Sequence, residues 1–138
     1  MFRHVGIVVE DLEQQLRFYR DLLDLEVYYD KVEQGPFLET ILGIYNVKPR
    51  IYKLGKNGKI VVELLHFGTN TLVGTPKNLV ERGLTHFAIT VKNIDDLYAR
   101  LFKEVQFVSA PAMSDTGKHI VCFCRDFEGN YIELVEEL

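Results

Sequence analysis

Two histidines and two glutamates stand in matching surroundings at the two ends of an internal repeat. His4 lies in Arg3-His4-Val5-Gly6-Ile7-Val8-Val9 and His86 in Thr85-His86-Phe87-Ala88-Ile89-Thr90-Val91. Glu63 lies in Ile60-Val61-Val62-Glu63-Leu64-Leu65 and Glu133 in Asn130-Tyr131-Ile132-Glu133-Leu134-Val135. A carboxylate alone in an apolar strand is costly unless something meets its charge. Neutral imidazole and carboxylate together hold divalent first-row metals well, and two of each around one such ion make a neutral centre that water or substrate completes. The expected site is therefore one divalent ion (Ni, Co, Zn, Mn or Fe) on His4, Glu63, His86 and Glu133. Each residue alone has a plainer reading: a strand histidine is commonly structural, and Glu63 would be satisfied by a cross-strand Lys or Arg. The recurrence of the same pair of residue types in both halves is what favours the metal.

The elements that must carry these residues follow from periodicity. Residues 3–9 alternate as a strand that puts His4, Gly6 and Val8 on one face. Gly6, like Ala88 two residues after His86, leaves room beside a bound ligand. Asp11 is placed to cap a helix whose Leu12, Leu16, Tyr19 and Leu23 form one apolar stripe. Asp24 follows in the position of a helix-ending turn, and Leu25–Lys31 reads as the second strand. Gly35-Pro36 opens one or two helical turns that Gly43 stops; this 33–47 insert has no counterpart in the second half and is expected to form a lid or pocket wall. Arg50–Leu54 and Lys59–Phe67 form a hairpin through Asn57-Gly58.

A linker, about 69–83, is expected to contain a short helix from Thr75-Pro76 to Gly83. Then come a strand at Leu84–Val91, a helix capped by Asn93 with Ile94, Leu97 and Leu101 buried, and strands at Val105–Val108, Lys118–Arg125 and Asn130–Glu136, with a turn at Gly129-Asn130. Each half is βαβββ. The expected architecture is one α+β domain over 1–138, module 1 about 1–68 and module 2 about 84–138, whose eight strands form a single curved mixed sheet around a central metal site.

The remaining polar candidates have simpler roles. Strand alternation turns His66 to the face opposite Glu63, as a surface or packing residue. His119 reads as a solvated strand end, with a rim contact to an anionic substrate as the lesser alternative, Glu39 as exposed helix surface, with a mobile second carboxylate as the lesser alternative, and Phe18, Tyr19, Tyr28 and Tyr29 as core or sheet residues. Cys122 and Cys124 share one strand face, too badly placed for a mutual disulfide, with a CxC metal clip as the lesser alternative.

Length and charge exclude other classes. The 138 residues, 47% hydrophobic, suit one globular domain, and a formal charge of −4 without any Lys/Arg cluster speaks against nucleic acid. No apolar run approaches the ~20 residues of a membrane span and no signal-peptide pattern opens the chain, so a cytoplasmic location is expected.

The pattern His4-Val5-Gly6-Ile7-Val8-Val9 with Asp11-Leu12, then Phe18-Tyr19-Arg20-Asp21, Val62-Glu63-Leu64-Leu65, His86 and the ending Asp126–Glu136 resembles the vicinal oxygen chelate superfamily, over essentially the whole chain. That group includes glyoxalase I, methylmalonyl-CoA epimerase, extradiol dioxygenases and the bleomycin and fosfomycin resistance proteins. The resemblance implies metal ligands at His4, Glu63, His86 and Glu133, the set the repeat selects independently, and a homodimer in which halves pair within one chain or between two. The His-Glu-His-Glu order is that of glyoxalase I, and Pro76–Ile89 looks more like the epimerases. Val8 replaces the arginine and Phe67 the asparagine of the glutathione-dependent glyoxalases, so the resemblance does not carry glutathione binding across. Phe127 stands for the usual proline of the last turn and Asp24 for the usual glycine, both away from the metal residues.

The function implied is that of a metal-dependent isomerase or lyase, with proton transfer beside a carbonyl polarised by the ion and Glu133 and Glu63 as candidate catalytic bases. The alternatives within the superfamily are an extradiol dioxygenase, a thiol transferase, or a non-enzymatic small-molecule binding protein, the last of which the intact ligand set opposes.

Overall fold

In the first half, the strand that opens the module lies beside the strand that ends it. A computed structural model describes residues 1–138, with residue 70 described by its backbone only. The chain divides into two units, Met1–Gly74 and Thr75–Leu138. In the first, β1 (Val5–Val8), α1 (Leu12–Leu16), β2 (Glu26–Val32), α2 (Pro36–Leu42), β3 (Arg50–Lys56) and β4 (Lys59–His66) form a four-stranded sheet in the order β1-β4-β3-β2. The β1·β4 ladder is parallel and the other two are antiparallel. The second unit repeats this with β5 (His86–Thr90), α3 (Ile94–Leu101), β6 (Ala112–Met113), β7 (His119–Arg125) and β8 (Tyr131–Glu137), in the order β5-β8-β7-β6 and with β5·β8 parallel.

The α+β class and the tandem βαβββ modules are as expected, with one correction. The eight strands form two four-stranded sheets, not one. A single ladder would need the last strand of one module to hairpin into the first of the next, but residues 67–85 contain no strand, and each module's last strand lies between two strands of its own module. The helix expected within 75–83 is absent as well. Val80 is almost fully exposed, so a helix there would bury no apolar stripe to offset the cost of its first turn.

Each sheet has one face sealed and one half open. In unit 1 Val62 and Leu64 of β4, with Leu54 of β3, are fully buried together with Leu16, Phe18 and Tyr19. After α1 the helix widens into a π-helical segment, Arg17–Leu22, closed by Leu23 N–H donating to the Phe18 carbonyl at 3.1 Å. The extra residue per turn brings both Phe18 and Tyr19 inward, where their rings meet edge-on at 4.9 Å. The expected stripe of Leu12, Leu16, Tyr19 and Leu23 is buried throughout, and Asp11 caps α1 by accepting from Gln14 N–H at 3.1 Å. Asp24 takes the left-handed turn at φ 57°. Glu39 in α2 accepts from Asn46 N–H at 2.9 Å, which ties the insert to itself.

In unit 2 Ile94, Leu97 and Leu101 of α3 are buried, as are Ile132 and Leu134 of β8 and Cys122 and Cys124 of β7. Asn93 holds the cap position in the left-handed region without a side-chain bond; the capping is done by Glu136, whose carboxylate accepts from Asn93 N–H at 3.0 Å and Ile94 N–H at 2.9 Å. The strand expected at Val105–Val108 contributes only an isolated bridge, Phe107 to Cys124, and the paired edge strand is β6. The last turn closes on Asp126, a buried carboxylate met by Glu128 N–H, Asn130 N–H and the Asn130 amide at 2.8–3.0 Å. Among the described residues no helix is long and apolar enough to cross a membrane.

Asn57 and Gly58, at φ 53° and 74°, make the two-residue turn between β3 and β4, with Lys56 opposite Lys59. The ladder then slips by one residue: Gly55 faces Ile60, but Leu54 faces Val62. Gly55 permits this bulge, because a Cβ there would sit 1.8 Å from the Lys59 carbonyl oxygen. Gly55→Ala is expected to destabilise the protein by about 2 kcal/mol or more, read as a lower midpoint in urea unfolding with an unchanged slope. The slip also decides which β3 side chain meets Glu63, so a full-strength fold in this variant would show that the bulge is not required.

Candidate metal centre

Glu63 occupies the half-open face of the first sheet, between Val62 and Leu64, which point the other way into the core. Its parallel neighbour on β1 is Gly6, where an added Cβ would lie 3.7 Å from Glu63 Oε2, so any side chain longer than alanine would crowd the carboxylate. His4, two residues before Gly6, reaches the same carboxylate with Nε2 at 3.2 Å from Oε2. The other oxygen, Oε1, lies 3.2 Å from Lys53 Nζ, and Lys53 is the antiparallel neighbour of Glu63 on β3. Glu63 thus combines both sequence readings: it pairs with its histidine partner and also with a cross-strand lysine. Its side chain is 15% exposed, against 26% for Lys53.

The second unit repeats the pairing with one change. Glu133 has Ala88 as its parallel neighbour on β5, in the place of Gly6, and His86 Nε2 lies 3.6 Å from its Oε2. His86 Nδ1 is 3.0 Å from Thr85 Oγ1; a ring protonated at Nδ1 donates to that hydroxyl and keeps the Nε2 lone pair on the glutamate side. In Lys53's position stands Phe123, the β7 neighbour of Glu133, whose ring meets His86 edge-on at 5.1 Å. The structure thus brings His4 to Glu63 and His86 to Glu133, one pair in each unit. Within either unit, among the described residues, no third His, Cys, Asp or Glu joins the pair.

The donor chemistry fits a divalent ion. Two ligand atoms each about 2.1 Å from one metal, in tetrahedral or octahedral arrangement, are about 3.0–3.5 Å apart. The His4–Glu63 separation of 3.2 Å is within that range, and the His86–Glu133 separation of 3.6 Å lies just outside it. Lys53 is compatible with this, because it holds the glutamate oxygen that faces away from His4 and so orients the carboxylate as an outer hydrogen-bond donor does at a metal site.

The other polar candidates take structural positions. His66 Nδ1 lies 3.1 Å from the Val9 carbonyl, joining β4 to the end of β1, which is the packing role expected of it. Lys53 and Tyr29 are the residues that sequence reasoning missed. Tyr29 was expected in core or sheet; its ring is half-buried on β2, with Lys53 Nζ 5.1 Å and Lys31 Nζ 5.5 Å from its centroid, and its hydroxyl donates to Glu33. Counting back from Asn57-Gly58 without the bulge pairs Glu63 with Tyr52 instead of Lys53, so only recognition of Gly55 as a bulge glycine would have exposed the lysine.

Cys122 and Cys124 are free and buried. Burial pushes the Cys122 thiol up to about 11, helped by Asp95; burial, then Cys122 and Asp126, push Cys124 up to about 12. Such thiols stay protonated at neutral pH and make poor ligands, which disfavours a CxC clip.

A model of the glyoxalase/bleomycin resistance protein/dioxygenase superfamily matches residues 2–134. Among solved structures, a glyoxalase family protein from Bacillus cereus superposes with a TM-score of 0.87 at 23% identity, covering 99% of this chain and 93% of its own. The trypanothione-dependent glyoxalase I of Leishmania major gives 0.64 at 24% identity, covering 97% and 84%. The fosfomycin resistance protein FosX from Listeria monocytogenes gives 0.63 at 16% identity, covering 100% and 93%. No curated protein matches the sequence.

The thiols supply a prediction. Because they titrate higher in the folded chain than in the unfolded one, their contribution to stability is whole below the ordinary thiol value of 9.0 and is lost as pH rises through about 11 for Cys122 and about 12 for Cys124. The native protein is expected to react with a thiol reagent such as Ellman's at neutral pH only on the timescale of unfolding. Rapid modification of both cysteines with the fold intact would contradict their burial.

Proposed function

The chain belongs to the glyoxalase/bleomycin resistance protein/dioxygenase superfamily, and on that premise we propose that it is a metal-dependent isomerase or lyase of the glyoxalase I or methylmalonyl-CoA epimerase type. In this reading His4, Glu63, His86 and Glu133 hold one divalent ion, either from one chain or with halves exchanged between two copies of a homodimer. The observation that carries it is the same histidine–glutamate pair built twice, each across a parallel ladder with a small residue opposite the glutamate. A bound divalent ion supplies a Lewis acid that polarises a substrate carbonyl and makes the neighbouring C–H acidic.

The two glutamates are differently equipped for the proton. Glu63 has both oxygens engaged, one by His4 and one by Lys53, which suits a carboxylate that stays in place. Glu133 has the apolar Phe123 where Glu63 has a lysine, and we assign it the transfer. Its carboxylate takes the proton from carbon, the electron pair of the broken C–H bond remains in the substrate as an enolate, and the proton is returned to carbon to give the isomer. Phe123 and the half-buried sheet face keep bulk water from competing for that proton.

Protein purified without chelator is expected to contain about one divalent ion per site by elemental analysis. A metal-free protein that takes up none on addition would favour the small-molecule binding alternative. Turnover is best sought with hemithioacetals and with thioesters bearing an acidic α C–H, each tried with Ni, Co, Zn, Mn and Fe. Activity confined to Fe(II) with O2 and catechols, or to Mn(II) with a thiol, would instead identify a dioxygenase or a thiol transferase. Glu133→Gln should lower turnover by about 10²–10⁴-fold while the ion is retained; loss of the ion would make Glu133 a ligand first.

A further inference from the structure

We propose that Lys53 is an anion anchor: the substrate of this site carries a negatively charged oxygen group, a carboxylate or phosphonate, that pairs with the Lys53 ammonium. This inference rests on the metal reading above and adds the class of substrate to it.

Three observations lead to it. First, Lys53 is placed by the sheet. The row Gly6, Glu63, Lys53, Tyr29 runs across all four strands of unit 1 on the half-open face, so the ammonium stands directly beside the Glu63 carboxylate and on the same side as His4. Second, it is held with capacity to spare. Nζ is 3.2 Å from Glu63 Oε1 and 5.1 Å from the centre of the Tyr29 ring, and an ammonium has three N–H donors of which Glu63 takes one. The side chain is 26% exposed, within reach of a ligand arriving from the open face. Third, with the proposed divalent ion bound, the charges would not cancel without a further anion. The two glutamates offset a divalent ion and the two imidazoles are neutral as ligands, so Lys53 leaves one positive charge over in a half-buried place. Lys31 Nζ lies 5.5 Å from the centre of the Tyr29 ring, and the carboxylate of Glu33 accepts from the Tyr29 hydroxyl, so around that ring one further cation is matched by one further anion.

A lysine whose whole task was to neutralise Glu63 would account for the first observation but would leave a neutral ligand as welcome as a charged one, and this difference can be measured.

The test uses the full-length protein loaded with Co(II), whose visible spectrum reports ligands entering the site. Acetohydroxamate is compared with the monohydroxamates of succinate and glutarate, which share its chelating end and add a terminal carboxylate at two reaches. The wild type is expected to bind one of the carboxylate-bearing probes about tenfold more tightly than acetohydroxamate. Because Lys53 also orients Glu63, Lys53→Met is expected to weaken Co(II) binding by about 10–100-fold, so it is assayed at saturating Co(II), where the ratio of carboxylate-probe to acetohydroxamate affinity should fall to about one, and Lys53→Arg should retain the preference. Lys53→Gln serves in place of the methionine variant if the latter does not fold. A preference absent from the wild type, or one that survives in both neutral variants, overturns the anchor while leaving the metal reading intact. If Lys53→Met cannot be loaded with Co(II), Lys53→Gln, which keeps an N–H donor for Glu63 without the charge, carries the comparison, and a preference that survives there overturns the anchor. Failure of the wild type to take up Co(II) at all removes the metal reading and this inference together.

Discussion

A carboxylate on a half-buried sheet face must be met by positive charge or by hydrogen-bond donors, and the parallel ladder between the first and last strand of each unit is what meets it here. In an antiparallel hairpin the histidine near the start of a module and the glutamate near its end would have no reason to coincide. The parallel crossover, through a helix and a hairpin, returns β4 beside β1 and β8 beside β5, so that His4 reaches Glu63 and His86 reaches Glu133. The helices then need only seal the opposite faces, which they do with Leu16, Phe18 and Tyr19 in one unit and Ile94, Leu97 and Leu101 in the other. Division of labour between the two faces of each sheet follows: one face holds the core, and the other is left with its polar groups facing one another.

The duplication is not complete, and the difference lies at one cross-strand position. Lys53 beside Glu63 corresponds to Phe123 beside Glu133. A charged neighbour engages an oxygen of the first carboxylate, and an aromatic neighbour leaves the second with its histidine. The two matching pairs therefore differ in one respect: the first carboxylate is engaged on both oxygens, by His4 and Lys53, and the second lies beside its histidine and an aromatic ring.

Much of this was legible beforehand because it depends on local chemistry. Asp11, Asp24, Gly43 and Asn57-Gly58 cap or turn as their residue types require, and the apolar stripes of α1 and α3 are buried as their spacing requires. Where expectation and structure part, a distant group decided the outcome. Asn93 looked like a helix cap, but the carboxylate of Glu136, on the neighbouring strand, takes both backbone donors. Thr75-Pro76 and Gly83 have the residue types of helix bounds, but between them only Leu79 is part-buried and Val80 is exposed, which is no apolar stripe. Val105–Val108 had the composition of a strand, yet it meets β7 only through the Phe107–Cys124 bridge, while the two residues of β6 take the edge.

The amino-acid sequence by itself determined the repeat, the helix-covered strands and the four residues worth watching, because alternation, caps and turn residues act over a few positions and need no knowledge of what lies across the sheet. Only the tertiary structure decided that the strands close into two sheets and that Lys53 stands beside Glu63. Both depend on which backbone lies next to which: the first on where each module's ladder ends, the second on a one-residue slip that the missing Cβ of Gly55 allows. A slip of one residue exchanges the faces of a strand, so it replaced a tyrosine by a lysine at the side of the carboxylate without changing a single local preference.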